Sequence, residues 1–564
     1  MDNPERVTYF AATDNRGKRI PFGIKKKDRR RHMYVIGKTG MGKSTLLENM
    51  AIQDIQNGEG VAFIDPHGGT ADKLLDYVPE HRIQDVVYFA PFDLDYPVAF
   101  NVMEDVGYDK RHLVVSGLMA TFKKIWVDAW SARMEYILSN TLLALLEYPG
   151  ATLLSVNRMY VDKTYRKKVV ENIKDPVVKD FWTKEFATYT DRYTQEATPA
   201  IQNKIGQFTS NPLIRNIIGQ PKSSFDIREL MDNKKILIMN LSKGLVGETN
   251  MRLLGSMLTT RIFLSAMSRA DLPAQELEQL PDCYFYVDEF QNFANDTFAE
   301  ILSEARKYKL NLTIAHQYVE QMEEQVRAAV FGNVGTSIAF RVGPFDAETL
   351  ETIFAPEFTQ EDLVNLGARQ IYLTLMIDGL GSRPFSAVTI PPIEPPRKIY
   401  RDEVIASSRR LFATERQHIE KAIFDELSAI QPENGNGNGK DEKPSFQQGK
   451  RTRPQQQGNG HQAPPQQRNS QNNHAEERQR SAPAPDLKDT LRALTEQVEA
   501  QQKKQQHVHK ADIQQAVQAV VPKQPTPKEQ DKVRVTPPPQ APAEGKKVFE
   551  VSEEELRAVF EEEA

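Results

Sequence analysis

Short uninterrupted apolar runs alternate with longer stretches of helical periodicity over most of the chain. His32–Gly37 (HMYVIG), Gly60–Asp65 (GVAFID) and Asp85–Ala90 (DVVYFA) read as buried strands, and TLLENMAIQDIQ between the first two reads as a helix. The strand pattern returns at Lys235–Leu241, Cys283–Asp288, Leu310–His316, Gly335–Val342 and Gln370–Met376. Apolar runs separated by helices indicate a parallel sheet covered on both faces, an α/β fold. Between the third and fourth strands lies a long helical region, Tyr108 to Gly219, predicted to be an all-α insertion. One amphipathic helix over about Asp402–Leu427 closes the patterned part.

Beyond about Pro432 the pattern is lost. Gln, Pro, Asn and Gly dominate, and such a segment buries too little apolar surface to offset its chain entropy, so disorder is predicted there. Two islands interrupt it. Leu487, Leu491, Leu494 and Val498 recur at helical spacing, and the acidic end VFEVSEEELRAVFEEEA carries a capping box in Ser552 and Glu555. The expected organisation is an extension over 1–30, a first part of the α/β domain over 31–107 and the insertion over 108–225. A second part of the α/β domain then covers 226–400, the amphipathic helix 401–430, and the Gln/Pro-rich tail 431–564 with its short acidic helix.

The tail explains the composition. Of the 564 residues 39% are hydrophobic, an average of an ordinary core and a tail with little apolar content. The formal net charge of −5 excludes a globally basic nucleic-acid binder but leaves room for a local basic channel. A single cysteine, Cys283, excludes an intrachain disulfide and a cysteine-rich metal site, which fits a reducing compartment. No signal-peptide core appears at the N-terminus, and the most apolar long stretch, Tyr136–Val156, holds Asn140, Glu147 and Pro149. It falls short of a span of about 20 apolar residues. The expectation is therefore a cytoplasmic protein with no membrane span of its own, held at the inner face of a membrane only through partners.

The chemistry concentrates in two strings. Gly37-Lys38-Thr39-Gly40-Met41-Gly42-Lys43-Ser44 matches G-x-x-x-x-G-K-[ST] after a buried strand and before a helix. Its glycines let backbone N–H groups turn inward around phosphates, Lys43 adds a point charge, Ser44 offers an oxygen to Mg²⁺, and Thr45 flanks the site. A buried strand ending in acids supplies the other half, Val287-Asp288-Glu289. Asp288 is expected to hold the metal through water and Glu289 to polarise the attacking water. The expected ligands are ATP and Mg²⁺. A GTPase would need an Asn/Thr-Lys-x-Asp string, and Asn203-Lys-Ile-Gly lacks the Asp; Leu241-Ser-Lys-Gly-Leu is no transporter signature. A motor-type ATPase with a large insertion remains.

In order, GKTGMGKST, GVAFIDPHGG, VDEFQNF, LSEARKYKLNLTIAHQY and GNVGTSIAFRVGPFDAE resemble the HerA/FtsK superfamily. Within it the chain looks most like the TraG/TraD-type coupling ATPases of conjugation and type IV secretion, over roughly residues 20–400. The resemblance implies a P-loop (RecA-like) core with the family's all-α domain, assembled as a homo-hexameric ring that moves DNA through a channel. It also implies nucleotide bound between neighbouring subunits, an acid near it at Asp65, and a polar γ-phosphate sensor at Gln317. His67, next to Asp65, is read as structural. A neighbour's arginine would stabilise transition-state charge; the candidates are Arg306, which is favoured, and Arg341, which sits on a strand pattern and is open to a structural role. Many such proteins begin with transmembrane helices, and none is read here.

Candidate DNA contacts are the basic run Lys25, Lys26, Lys27, Arg29, Arg30 and Arg31, and in the insertion Lys123, Lys124, Lys163, Arg166, Lys167 and Lys168. The run is alternatively a solvated edge. Trp126 and Trp130 are read as core. No base-reading element is present, so contact with DNA is expected to be largely sequence-independent and salt-sensitive. The tail is a candidate dock for relaxase or secretion-channel partners. Alternatives stay open: a HerA-like DNA-processing motor, a protein-secretion ATPase, or a tethering scaffold switched by ATP.

Overall fold

A computed structural model describes residues 3–14, 18–294 and 296–428. The tail, with the helices expected around Leu487–Val498 and Ser552–Phe560, lies outside the described residues. The described residues form one compact unit.

In chain order the strands are β1 (Val7–Thr13), β2 (Pro21–Lys25), β3 (Met33–Ile36), β4 (Gly60–Asp65), β5 (Val86–Phe89), β6 (Ile236–Asn240) and β7 (Cys283–Val287). They continue as β8 (Leu310–His316), β9 (Thr336–Ala339), β10 (Gln370–Thr374), β11 (Met376–Ile377), β12 (Leu380–Gly381) and β13 (Phe385–Thr389). All but β11 and β12, which pair as a hairpin, join one sheet in the order β2-β1-β13-β10-β9-β3-β8-β7-β4-β6-β5. From β9 to β5 every pairing is parallel. From β9 outward through β10, β13, β1 and β2 every pairing is antiparallel. The sheet is thus mixed, with a parallel centre.

The central strands form where the sequence is apolar on both faces: β3, β6, β7 and β8 are buried at every position. Alternate side chains serve two cores. Tyr34 and Ile36 join one layer, which continues into the helical block, while Met33 and Val35 face the layer of the helix Lys43–Gln56. The first helix of the block, Arg111–Ile125, packs closely on the helix Glu248–Met267. Gly117 permits this, since a Cβ there would stand 2.6 Å from the Thr260 methyl. Trp126 and Trp130 pack partly buried against this core, Trp126 beside Phe122 and Phe208.

Two expectations need correction. The final helix is two helices, Arg401–Phe412 and Arg416–Ser428. Between them the backbone turns to other partners: Ala413 bridges Val98, and Thr414 and Arg416 donate to the carbonyls of Pro97 and Asp95. The basic run, for its part, is mostly structural. Lys26 pairs with Glu59 at 2.6 Å, Arg29 with Asp54 at 2.7 Å, Arg30 with Asp282 at 3.2 Å, and Lys25 with Asp378 at 3.0 Å. Lys27 reaches Asp378 at 2.8 Å. These pairs bind the N-terminal hairpin to the P-loop helix and the sheet. Among the described residues no helix is long and apolar enough to cross a membrane.

Candidate nucleotide-binding site

The parallel strands end on one edge, and the loops leaving β3, β4, β7, β8 and β9 there carry the expected chemistry. The loop after β3 begins at Gly37 and enters the helix Lys43–Gln56 through Gly42. Gly40 (φ 78°) and Gly42 (φ 121°) hold backbone conformations that side chains disfavour, and a Cβ on Gly42 would press to 3.2 Å from the Phe340 ring. Lys43 is buried and donates to the carbonyls of Gly37 (2.6 Å) and Lys38 (3.3 Å). Burial pulls its ammonium pKa down, against the raising effect of Glu289 and Asp288. Ser44 and Thr45 open the helix, while Met41 packs against its core.

The acid pair follows β7. Asp288 is 2% exposed, and its Oδ2 accepts from Ser44 Oγ at 2.8 Å. Burial pushes its carboxyl pKa up, with Asp65 and Glu289 adding repulsion and Ser44 opposing. A buried carboxylate beside two others and a serine hydroxyl fits a cation held jointly with phosphates, as magnesium usually is. Ser44 and Asp288 would hold that ion, which would neutralise phosphate charge.

Glu289 adopts a left-handed backbone (φ 46°), a strained conformation for a non-glycine residue. It thereby leaves the strand direction and turns its carboxylate between two partners. Gln291 Nε2 donates to Oε2 at 2.6 Å, and His67 Nε2 stands 3.9 Å from Oε1, an ion-pair distance beyond hydrogen bonding. Burial raises the Glu289 pKa, but His67, Gln291 and Lys43 outweigh it, so the carboxyl stays below its usual range. An ionised, oriented carboxylate can polarise water.

Gln317, directly after β8, donates through Nε2 to Thr39 Oγ1 and so touches the phosphate loop. Asp65, at the end of β4, is buried beside Asp288. Its oxygens accept from the N–H groups of His67 (2.8 Å), Thr70 (2.8 Å) and Ala71 (3.0 Å). It organises the turn that carries His67 and places its own negative charge beside Asp288. The arginines separate. Arg341 follows β9, and its carbonyl accepts from Lys38 N at 2.9 Å. Exposed Arg306 precedes β8, off the opposite edge of the sheet, and is not brought to this chain's own phosphate loop.

Sequence reading missed several contributors. Arg369 (φ 65°) donates its N–H to Met41 O at 3.0 Å and lies beside Gly42, 3.7 Å from where a Cβ would be. Its partners are distant in sequence, so only the positive charge was visible. Asn49, on the P-loop helix, donates to Pro391 O at 2.9 Å and accepts from Ile393 N at 3.0 Å, fixing the segment after β13. Lys124, read as a DNA contact, instead donates to Gln291 O at 2.8 Å.

This loop, with its lysine and serine facing a buried acid pair across a parallel sheet, defines a P-loop NTPase. The profile of the type IV secretion-system coupling protein DNA-binding domain matches residues 18–365, and the chain belongs to that family. The resemblance to TraG/TraD-type coupling proteins is borne out. Among solved structures, the chain is similar to the unbound bacterial conjugative coupling protein TrwBdeltaN70, at 13% identity and TM-score 0.48, covering 71% of this chain and 97% of that one. It is also similar to TrwB in complex with a non-hydrolysable ATP analogue, at 14% identity and TM-score 0.48, covering 71% and 97%. VirB4 of Thermoanaerobacter pseudethanolicus matches at 14% identity and TM-score 0.42, covering 72% and 99%. No curated protein matches the chain.

Proposed function

We infer that this chain is an ATP-hydrolysing DNA translocase of the coupling-protein kind, working as a homo-hexameric ring. The observation that carries the reading is the meeting of Lys43, Ser44, Asp288, Glu289 and Gln317 on one sheet edge, in a chain of a DNA-binding coupling-protein family.

The backbone of Gly37–Thr45 and Lys43 bind the triphosphate, and Asp288 with Ser44 holds Mg²⁺. Glu289 accepts a proton from the attacking water as its oxygen adds in line to the γ-phosphorus and the bond to the β–γ bridging oxygen breaks, releasing ADP and inorganic phosphate. Gln317 senses the γ-phosphate beside Thr39. Arg306, remote from its own loop, serves the neighbour's site, where such an arginine is typically worth about 10³–10⁵ in rate; Arg341 belongs to the chain's own loop. DNA is held through phosphates, with exposed Lys163, Lys167 and Lys168 on the helix Lys163–Asn172 as contacts. The tail recruits relaxase or channel components, which place the ring at the inner face of the membrane.

Two measurements test this. Phosphate release with single- and double-stranded DNA should rise above the DNA-free rate and fall back as salt increases; turnover indifferent to both DNAs would favour a protein-secretion ATPase or a scaffold. Arg306→Ala subunits mixed into wild-type rings should depress turnover more than dilution does. Loss in simple proportion removes the trans role.

A further inference from the structure

The helix Arg111–Ile125 opens the helical block and ends on the acid-pair turn. Lys124, in its last turn, donates to the carbonyls of Gln291 and Ala294, on the 3₁₀ turn Phe290–Asn292 and just beyond it. From the same turn Gln291 sends its side-chain N–H to Glu289 Oε2 at 2.6 Å. Asn292 adds a second tie, donating through its backbone N (3.0 Å) and Nδ2 (3.1 Å) to Glu289 O. One residue, Gln291, is thus held through its carbonyl by the helical block and holds the expected base through its side chain.

We propose that Lys124 and Gln291 are positioning residues through which the helical block sets the orientation of Glu289, and hence the rate of hydrolysis. The contact is built for this. Glu289 stands in a strained backbone conformation that persists only while its surroundings enforce it. The turn after it is short, and the helical block reaches its carbonyls through the Lys124 ammonium group. The middle of the same helix is packed tightly by the close Gly117–Thr260 approach, so a rotation or slide of the block arrives at Lys124 as a displacement of the turn. Displacing a reacting group by about 1 Å can lower a rate by about 10²-fold. A block that engages cargo would thereby speed or slow hydrolysis without touching the phosphate loop, and nucleotide affinity would be unaffected.

The inference rests on Glu289 being the base, and the experiment separates the two ideas. Steady-state hydrolysis and ATP binding are measured with and without DNA for the full chain and for Lys124→Ala, Lys124→Arg, Gln291→Leu, the Lys124→Ala/Gln291→Leu pair, and Glu289→Gln as reference. The expected result is kcat about 10–100-fold lower in Lys124→Ala and in Gln291→Leu. ATP affinity should be within about 2-fold of wild type, Lys124→Arg should recover much of the rate, and the pair should be no worse than either single change. Stimulation by DNA should be lost in Lys124→Ala. Wild-type kcat and DNA stimulation in Lys124→Ala would overturn the proposal. So would a pair whose losses multiply, or equal losses of kcat, affinity and thermal stability without rescue by arginine, which describe a plain structural cap. If Glu289→Gln turns over like wild type, the reading of the base itself fails.

Discussion

Ser44 Oγ and Asp288 Oδ2 lie 2.8 Å apart, joining the phosphate loop to the strand-end acid across 244 residues of chain. The same pair would hold magnesium, so metal and nucleotide binding are coupled there. Asp288→Asn keeps the size of the side chain but removes the charge. In wild type, Mg²⁺ should tighten ATP binding by at least about tenfold, a gain of about 1.4 kcal/mol. In the variant that gain should vanish, as read by titration with a fluorescent ATP analogue with and without EDTA. An undiminished magnesium effect would remove Asp288 from the metal site.

Arg369 and Gly42 share a boundary where backbone strain and ligand access meet. Gly42→Ala should abolish nucleotide binding, because the new methyl meets the Phe340 ring in a disfavoured conformation. Arg369→Gly relieves a left-handed residue at some loss of chain stiffness, a net gain of about 0.5–1 kcal/mol in unfolding free energy. The same change removes a guanidinium from beside the loop, so ATP should bind about tenfold more weakly. Opposite signs for stability and affinity are the signature; unchanged affinity would place Arg369 off the nucleotide path.

Arg29 and Asp54 are almost wholly buried, and Tyr286 completes the cluster, donating to Asp54 and accepting from Arg29 at 2.7 Å. Arg29→Met leaves a buried carboxylate without its partner and should cost about 3–5 kcal/mol in urea unfolding. Adding Asp54→Leu should recover part of that loss. A double variant as unstable as the sum of the two single changes would show that the pair is not coupled.

His32 and His316 are fully buried, and burial holds their pKa values down at about 4 and about 3. Arg306 adds to the effect on His32; Lys43 and Lys124 add to it on His316, against Glu289. Both rings stay neutral in the fold but take a proton near pH 6.5 once unfolded. Stability should therefore fall as pH drops from about 6.5 toward 4, by up to about 1.4 kcal/mol per pH unit for each ring. Asp288, whose carboxyl is raised by burial, acts in the opposite sense. His32→Asn retains an acceptor for Leu312 N and should flatten the slope of denaturation midpoint against pH. An identical slope would assign the acid sensitivity elsewhere.

How much was legible followed the range of the interactions. Strands β3, β4, β6, β7 and β8 are buried at every position, so local apolarity sufficed to find them. β1 and β13 escaped notice: at the antiparallel side of the sheet, their short runs mix exposed and buried positions, as β1 does in VTYFAAT. The basic run read as a DNA surface or a solvated edge because its partners Asp54, Glu59, Asp282 and Asp378 are remote in sequence. Lys43, Ser44, Asp288, Glu289 and Gln317 were visible as short strings at strand ends. The grip of Gln291 and His67 on Glu289, and of Lys124 on Gln291, needs the fold to bring β4, β7 and the helical block together.

The most direct test of the motor reading compares wild type with Glu289→Gln, measuring ATP binding and phosphate release on the same samples with and without DNA. Wild type should hydrolyse ATP and do so faster with DNA. Glu289→Gln should bind ATP within about 3-fold of wild type and lose at least about 10²-fold in turnover. Turnover at the wild-type rate in that variant would contradict the assignment of the base, and with it the mechanism built on this site.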